Sequence, residues 1–98
     1  MWAELPIQHV HFAPADAPPS EGTEHQHLGV VTALFAYVLI ISGFRLVRRP
    51  NGRHSILFPT CRSKRGKVLR TVVIRSDNER REIERRLLDE LRRQRVIP

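Results

Sequence analysis

Few side chains in this 98-residue sequence could do chemistry, and most of those are cations. Cys61 is the one cysteine, so no disulfide forms within the chain. Its basic neighbours would favour the thiolate. A phosphatase-like Cys-x5-Arg loop would need arginine where the chain has Lys67, and no His or Asp stands at a telling spacing to complete a nucleophilic pair. Two His-x-His pairs, His9 with His11 and His25 with His27, offer imidazole ligands, but no Cys or carboxylate lies at a recognisable ligand spacing beside them. A Gly-rich phosphate loop and a paired-carboxylate arrangement are both missing from the sequence. The residues describe a protein that binds rather than catalyses, with no metal or cofactor expected.

The cations are unevenly placed. Residues 1–44 contain four acids and no Lys or Arg, whereas residues 45–98 hold all 17 Lys and Arg against six acids, a charge of +11 for that half. With a pI near 11.2, this asymmetry points to a polyanion: nucleic acid, or the anionic face of a membrane. Fifteen of these cations fall into three groups. One flanks a turn (Arg45, Arg48, Arg49, Arg53), one lies in a polar segment (Arg62, Lys64, Arg65, Lys67), and one lies on a C-terminal helix (Arg80, Arg81, Arg85, Arg86, Arg92, Arg93, Arg95). The helix group is interleaved with acids, as solvated helix faces usually are. The other two groups have no interleaved acid and are the better phosphate contacts. Aromatic residues are scarce among them, which disfavours recognition of single strands by stacking.

Residues 28–44 must be assigned before these groups can be positioned. They carry no charge. As a helix they would extend about 25 Å, short of a ~30 Å hydrocarbon core, with Arg45, Arg48 and Arg49 on the side the positive-inside rule requires. Against a span stand Val30, Val31, Thr32, Val38, Ile40 and Ile41, β-branched residues suited to strands. The run also fades into alternation, with Ser42, Phe44 and Leu46 on one face and Gly43, Arg45 and Val47 on the other. The sequence Arg49-Pro50-Asn51-Gly52-Arg53 then reads as a type I turn with a G1 bulge, which requires strand on both sides. The stretch is therefore read as two strands joined near Ala36-Tyr37-Val38.

A strand is expected over residues 5–13, a mobile Pro-rich loop over 14–27, a hairpin pairing about 40–49 with 53–58, a basic loop over 60–67 and a last strand over 68–74. Ser76-Asp77-Asn78-Glu79 matches a capping box. It predicts a helix over about 77–93, with Ile83, Leu87, Leu88 and Leu91 on its apolar stripe. Residues 94–98 form a short tail. The fold class is α+β: one domain, a small antiparallel sheet of about five strands, and one C-terminal helix packed on it. Both alternating sets between residues 28 and 35 are apolar, and one helix covers one face, so a second copy of the chain is expected on the other.

The order of these elements resembles the SpoVG (stage V sporulation protein G, septation regulator) family. The family's Ile-Arg-Val-Ile strand and Asn-Gly turn are matched by Phe44-Arg45-Leu46-Val47 and Asn51-Gly52. Its apolar strand ending in proline and its Ser/Arg/Lys loop are matched by Ile56-Leu57-Phe58-Pro59 and residues 60–67. The last strand, cap and Arg/Lys-bearing helix are matched by residues 70–74, Ser76 and residues 80–91. The resemblance covers about residues 5–93 with sparse identities. It departs at Ala36-Tyr37-Val38, where the family has an acidic turn, in a longer first loop, and at Glu82, where the family often has lysine. It implies a bacterial, cytoplasmic, homodimeric regulator that binds DNA or RNA, with Arg62 and Lys64 in the basic loop and Arg80 at the helix start as contacts. Together with the charge pattern, the expected nucleic-acid contacts are Arg53, Arg62, Lys64, Arg65, Lys67, Arg80 and Arg81. Two other readings compete with it: a single-pass membrane protein spanning with residues 28–44 and carrying a basic tail, and an adaptor that meets an acidic protein.

Overall fold

The computed structural model describes residues 6–15 and 26–98, and Arg62 through its backbone alone. The Pro-Asn-Gly turn forms as its residues dictate. Gly52 N donates to Arg49 O at 2.9 Å, Arg49 N donates to Arg53 O at 2.8 Å, and Gly52 takes the left-handed position at φ +85°. Asn51 Oδ1 accepts from Arg53 N at 2.9 Å and locks the turn from its side chain. This turn joins the last two strands of a four-stranded antiparallel meander: β1 (Ile7–Pro14), β2 (Gln26–Phe35), β3 (Leu39–Arg48) and β4 (His54–Leu57), in that spatial order. The expected loop over 14–27 falls outside the described residues except at its ends, where Pro14 finishes β1 and Gln26 starts β2.

Residues 28–44 are strand, turn and strand, as the β-branched content requires. No helix of the described residues is long and apolar enough to cross a membrane, so the helical span is not formed. The β2–β3 turn is tight: Val38 N donates to Phe35 O at 3.2 Å, with Ala36 at φ 53° and Tyr37 at φ 63°. Two left-handed residues give the mirror-image turn whose twist matches a hairpin, a conformation usually taken by Asn-Gly and costly for Ala-Tyr.

Two expectations need correction. The alternation expected along β3 is broken. The β2–β3 register shifts between the pairs Val31↔Phe44 and Ala33↔Ile41, and Gly43 sits there at φ +94°. This bulge turns Ser42 to the outer face, where its hydroxyl meets Thr32 Oγ1 at 2.8 Å, while Ile41, Phe44 and Leu46 face the core. The sheet of about five strands is instead a sheet of four and a separate sheet of two, β5 (Thr60–Arg62) and β6 (Val68–Arg70). The expected last strand over 68–74 stops at Arg70, because its partner is the short strand β5 at the start of the expected basic loop.

The helix α1 (Asp77–Arg93) runs over the expected residues. Ser76 Oγ accepts from Glu79 N at 3.3 Å, and Glu79 Oε1 accepts from Ser76 Oγ at 3.0 Å and from Arg75 Nε at 2.9 Å. The capping glutamate therefore binds side chains at the helix start. Ile83, Leu87, Leu88 and Leu91 pack on Val31, Ala33, Phe35, Phe44, Leu46 and Ile56 of the sheet. Phe44 anchors this core, with Phe35 at 5.9 Å between ring centroids and Phe58 edge-on at 5.1 Å.

Helix side chains also cap both outer strands. On β4, Ile56 N donates to Glu84 Oε2 at 2.8 Å. On β1, Gln94 Nε2 donates to Val10 O at 2.8 Å, beside a bulge between Gln8 and His11 where His9 takes φ 52°. Both contacts occupy edge groups that would otherwise invite another strand.

Gly29 is the tightest point of the β1–β2 pair. A Cβ there would lie 2.4 Å from Ala13 O and 2.5 Å from the Phe12 ring. Gly29→Ala should therefore separate the two strands and cost about 1–3 kcal/mol, read from the shift in a urea unfolding midpoint.

Candidate nucleic-acid interface

The basic segment after β4 folds into a hairpin whose tip repeats the geometry of the Pro-Asn-Gly turn. Gly66 N donates to Ser63 O at 2.9 Å, Ser63 N donates to Lys67 O at 2.8 Å, and Gly66 lies at φ +80°. Ser63 Oγ accepts from Lys67 N at 3.2 Å, from inside the turn. The strands pair Thr60↔Arg70, Cys61↔Leu69 and Arg62↔Val68, and Thr71 N donates to Pro59 O at 3.1 Å at the base. The sequence carried this signal: a Gly-basic pair ends each five-residue segment, Gly52-Arg53 and Gly66-Lys67.

Of the expected contacts, Lys64, Arg65 and Lys67 come together at this tip and are exposed. Arg62 stands at the end of β5, one residue before the turn. Arg53 is exposed at the other hairpin tip, and Arg80 and Arg81 lie in the first turns of α1. The expected residues thus occupy three elements. Arg80 Nε lies 3.9 Å from Asp77 Oδ1, so part of its charge is already answered.

The other cations divide as the interleaving of acids implies. Arg85 binds Glu82 and Asp89, Arg92 binds Asp89, and Arg93 binds Glu90. These bonds hold Glu82 and Glu90 below the usual carboxylate range and raise Arg85 and Arg93. Within the turn group, Arg48 donates to Gln26 Oε1 from Nε at 3.0 Å and from Nη2 at 2.7 Å, and Arg49 Nε donates to Ser55 Oγ at 2.7 Å. The sequence reading missed Arg70, exposed on β6 opposite Thr60. Its mark was the absence of any acid between residues 25 and 76, a stretch holding ten Lys and Arg.

His9 lies in the β1 bulge, and His25 falls outside the described residues. Among the described residues, no three His, Cys, Asp or Glu side chains are grouped to hold a metal ion. Cys61 is an exposed thiol on the ribbon formed by β5 and β6.

Set beside models of known protein families, curated proteins and solved structures, the chain matches none of them.

His54 starts β4 opposite Arg48. Burial first, and then the positive charges of Arg48 and Arg92, hold its pKa below the ordinary 6.5. The unfolded chain takes up this proton more readily, so the histidine's effect on stability rises with pH through the window between its folded pKa and 6.5, then levels off. Melting curves from about pH 5 to about pH 8 should show His54→Gln losing less Tm on acidification than the parent chain.

Proposed function

We propose that this chain is a small nucleic-acid-binding regulator that acts through its exposed basic turns, as its resemblance to the SpoVG family implies. The observation that carries this reading is the hairpin tip of Lys64, Arg65 and Lys67, set within an acid-free stretch of the chain. Cations on an exposed turn, with no carboxylate interleaved, are available to phosphate. Arg62 beside the tip, Arg53, and Arg80 with Arg81 at the helix start extend the surface. The reading is of binding without catalysis, in the bacterial cytoplasm.

The double substitution Arg62→Ala with Lys64→Ala tests the site. Binding of the parent chain to DNA or RNA should weaken steeply with salt, and the double variant should reduce the slope of log K against log salt by about 2. An unchanged slope would sink the assignment. If an acidic protein is bound instead, no mobility shift of nucleic acid appears even at low salt.

We further propose that the working form is a homodimer. One helix covers one face of the main sheet, and Ile40 on the outer face is 71% exposed. Around the β2–β3 turn, Tyr37 is 66% and Val38 84% exposed, beside an apolar cavity of about 370 Å³ lined by Phe35, Leu39, Phe58 and Val73 among others. A projecting apolar turn next to an apolar recess is the self-complementary arrangement a two-fold interface uses. Sedimentation should give a dimer for the parent chain and a monomer for Val38→Asp with Ile40→Asp. A monomeric parent chain would refute the dimer.

A further inference from the structure

The ribbon of β5 and β6 is the least supported part of the described structure. Its strands pair with each other and with no other strand, and the apolar face of the helix packs on the four-stranded sheet instead. Thr60, Cys61 and every residue from Lys64 to Arg70 are exposed, Val68 and Leu69 among them. A lone two-stranded ribbon is marginal in water, so an exposed one with apolar strand residues is better suited to a partner than to solvent. Its charge states the partner's sign: Arg62, Lys64, Arg65, Lys67 and Arg70 are cations, and residues 60–70 contain no acid.

Resting on the nucleic-acid reading above, we propose that this ribbon is the recognition element and that it enters the major groove of B-form duplex DNA. The major groove, about 12 Å wide, admits a two-stranded ribbon, whereas the major groove of A-form RNA is too deep and narrow for side chains to read. Single strands are the weaker fit, because residues 60–70 include no aromatic residue to stack on a base. The ribbon also divides its labour along its length. Lys64, Arg65 and Lys67 at the tip meet phosphates. Thr60 and Arg70, a cross-strand pair nearer the base, are the residue types that read base edges, arginine bidentate on guanine and threonine against a thymine methyl.

The test uses the full chain with a mixed-sequence DNA duplex, the matching RNA duplex and the separated DNA strands at one salt concentration. Duplex DNA should bind more tightly than either alternative by about tenfold or more, the scale of one bidentate base contact. Methyl green, which occupies the major groove, should displace the protein, and netropsin, which occupies the minor groove, should not. Arg70→Ala, at an exposed position, should weaken binding to the best DNA sequence by about tenfold and blunt discrimination between sequences. Arg92→Ala, already paired with Asp89, should change neither. Equal or tighter binding to RNA or single strands, displacement by netropsin alone, or an Arg70→Ala variant that keeps full sequence preference would overturn the groove assignment while leaving nucleic-acid binding intact. Failure to bind any of the three nucleic acids would overturn both.

Discussion

The fold depends on one helix laid across one face of a four-stranded sheet. Ile83, Leu87, Leu88 and Leu91 close the core, and the same helix satisfies backbone groups on both outer strands through Glu84 and Gln94. A chain this short buries a limited core, so the same element must both pack the sheet and cap its edges. The Ser76 cap fixes the start of the helix, and Glu, Asp and Arg side chains pair along its exposed side.

Among the described residues, no second helix lies on the opposite face of the sheet. The outer face of the sheet carries Thr32, Ile40 and Ser42, and the β2–β3 turn projects Tyr37 and Val38. The strained left-handed pair Ala36-Tyr37 is held in place by the strands it joins, as local strain must be. The basic ribbon stands apart from both, on the segment between β4 and α1. Cationic and apolar side chains meet on the ribbon, where Val68 and Leu69 are exposed beside Arg70.

Electrostatics divides the arginines by position rather than by number. On α1, each of Arg85, Arg92 and Arg93 has a carboxylate three residues away, and such exposed pairs add little stability while neutralising charge. On the two hairpin tips the turn geometry uses Asn51 and Ser63 to bind backbone, and no acid is close in sequence to answer Arg53, Lys64, Arg65 or Lys67. The result is a concentration of cations with no acid near them in sequence on the two hairpin tips.

Local chemistry was sufficient to read several elements from the sequence. Pro50, Asn51 and Gly52 dictate their turn through their own φ preferences, and Ser76 with Glu79 dictates the helix start. The spacing of Ile83, Leu87 and Leu91 dictates the buried face of α1. The candidate site was legible as a cluster of charge at residues 62–67 for the same reason. The β3–β4 pairing was legible from its turn, whereas the β2–β3 register and the β5–β6 pairing were not, because they are set by cross-strand contacts rather than by local φ preferences. The Gly43 bulge that moves Ser42 outward follows from how β3 registers on β2. The pairing of Thr60–Arg62 with Val68–Arg70 turns a presumed loop into a ribbon and places Arg70 beside Thr60. Composition and spacing determined which residues carry charge and where helix and turns begin. Only the tertiary structure decided the register of β3 on β2 and the pairing of β5 with β6, because a one-residue slip costs little locally and yet exchanges every side chain between core and solvent.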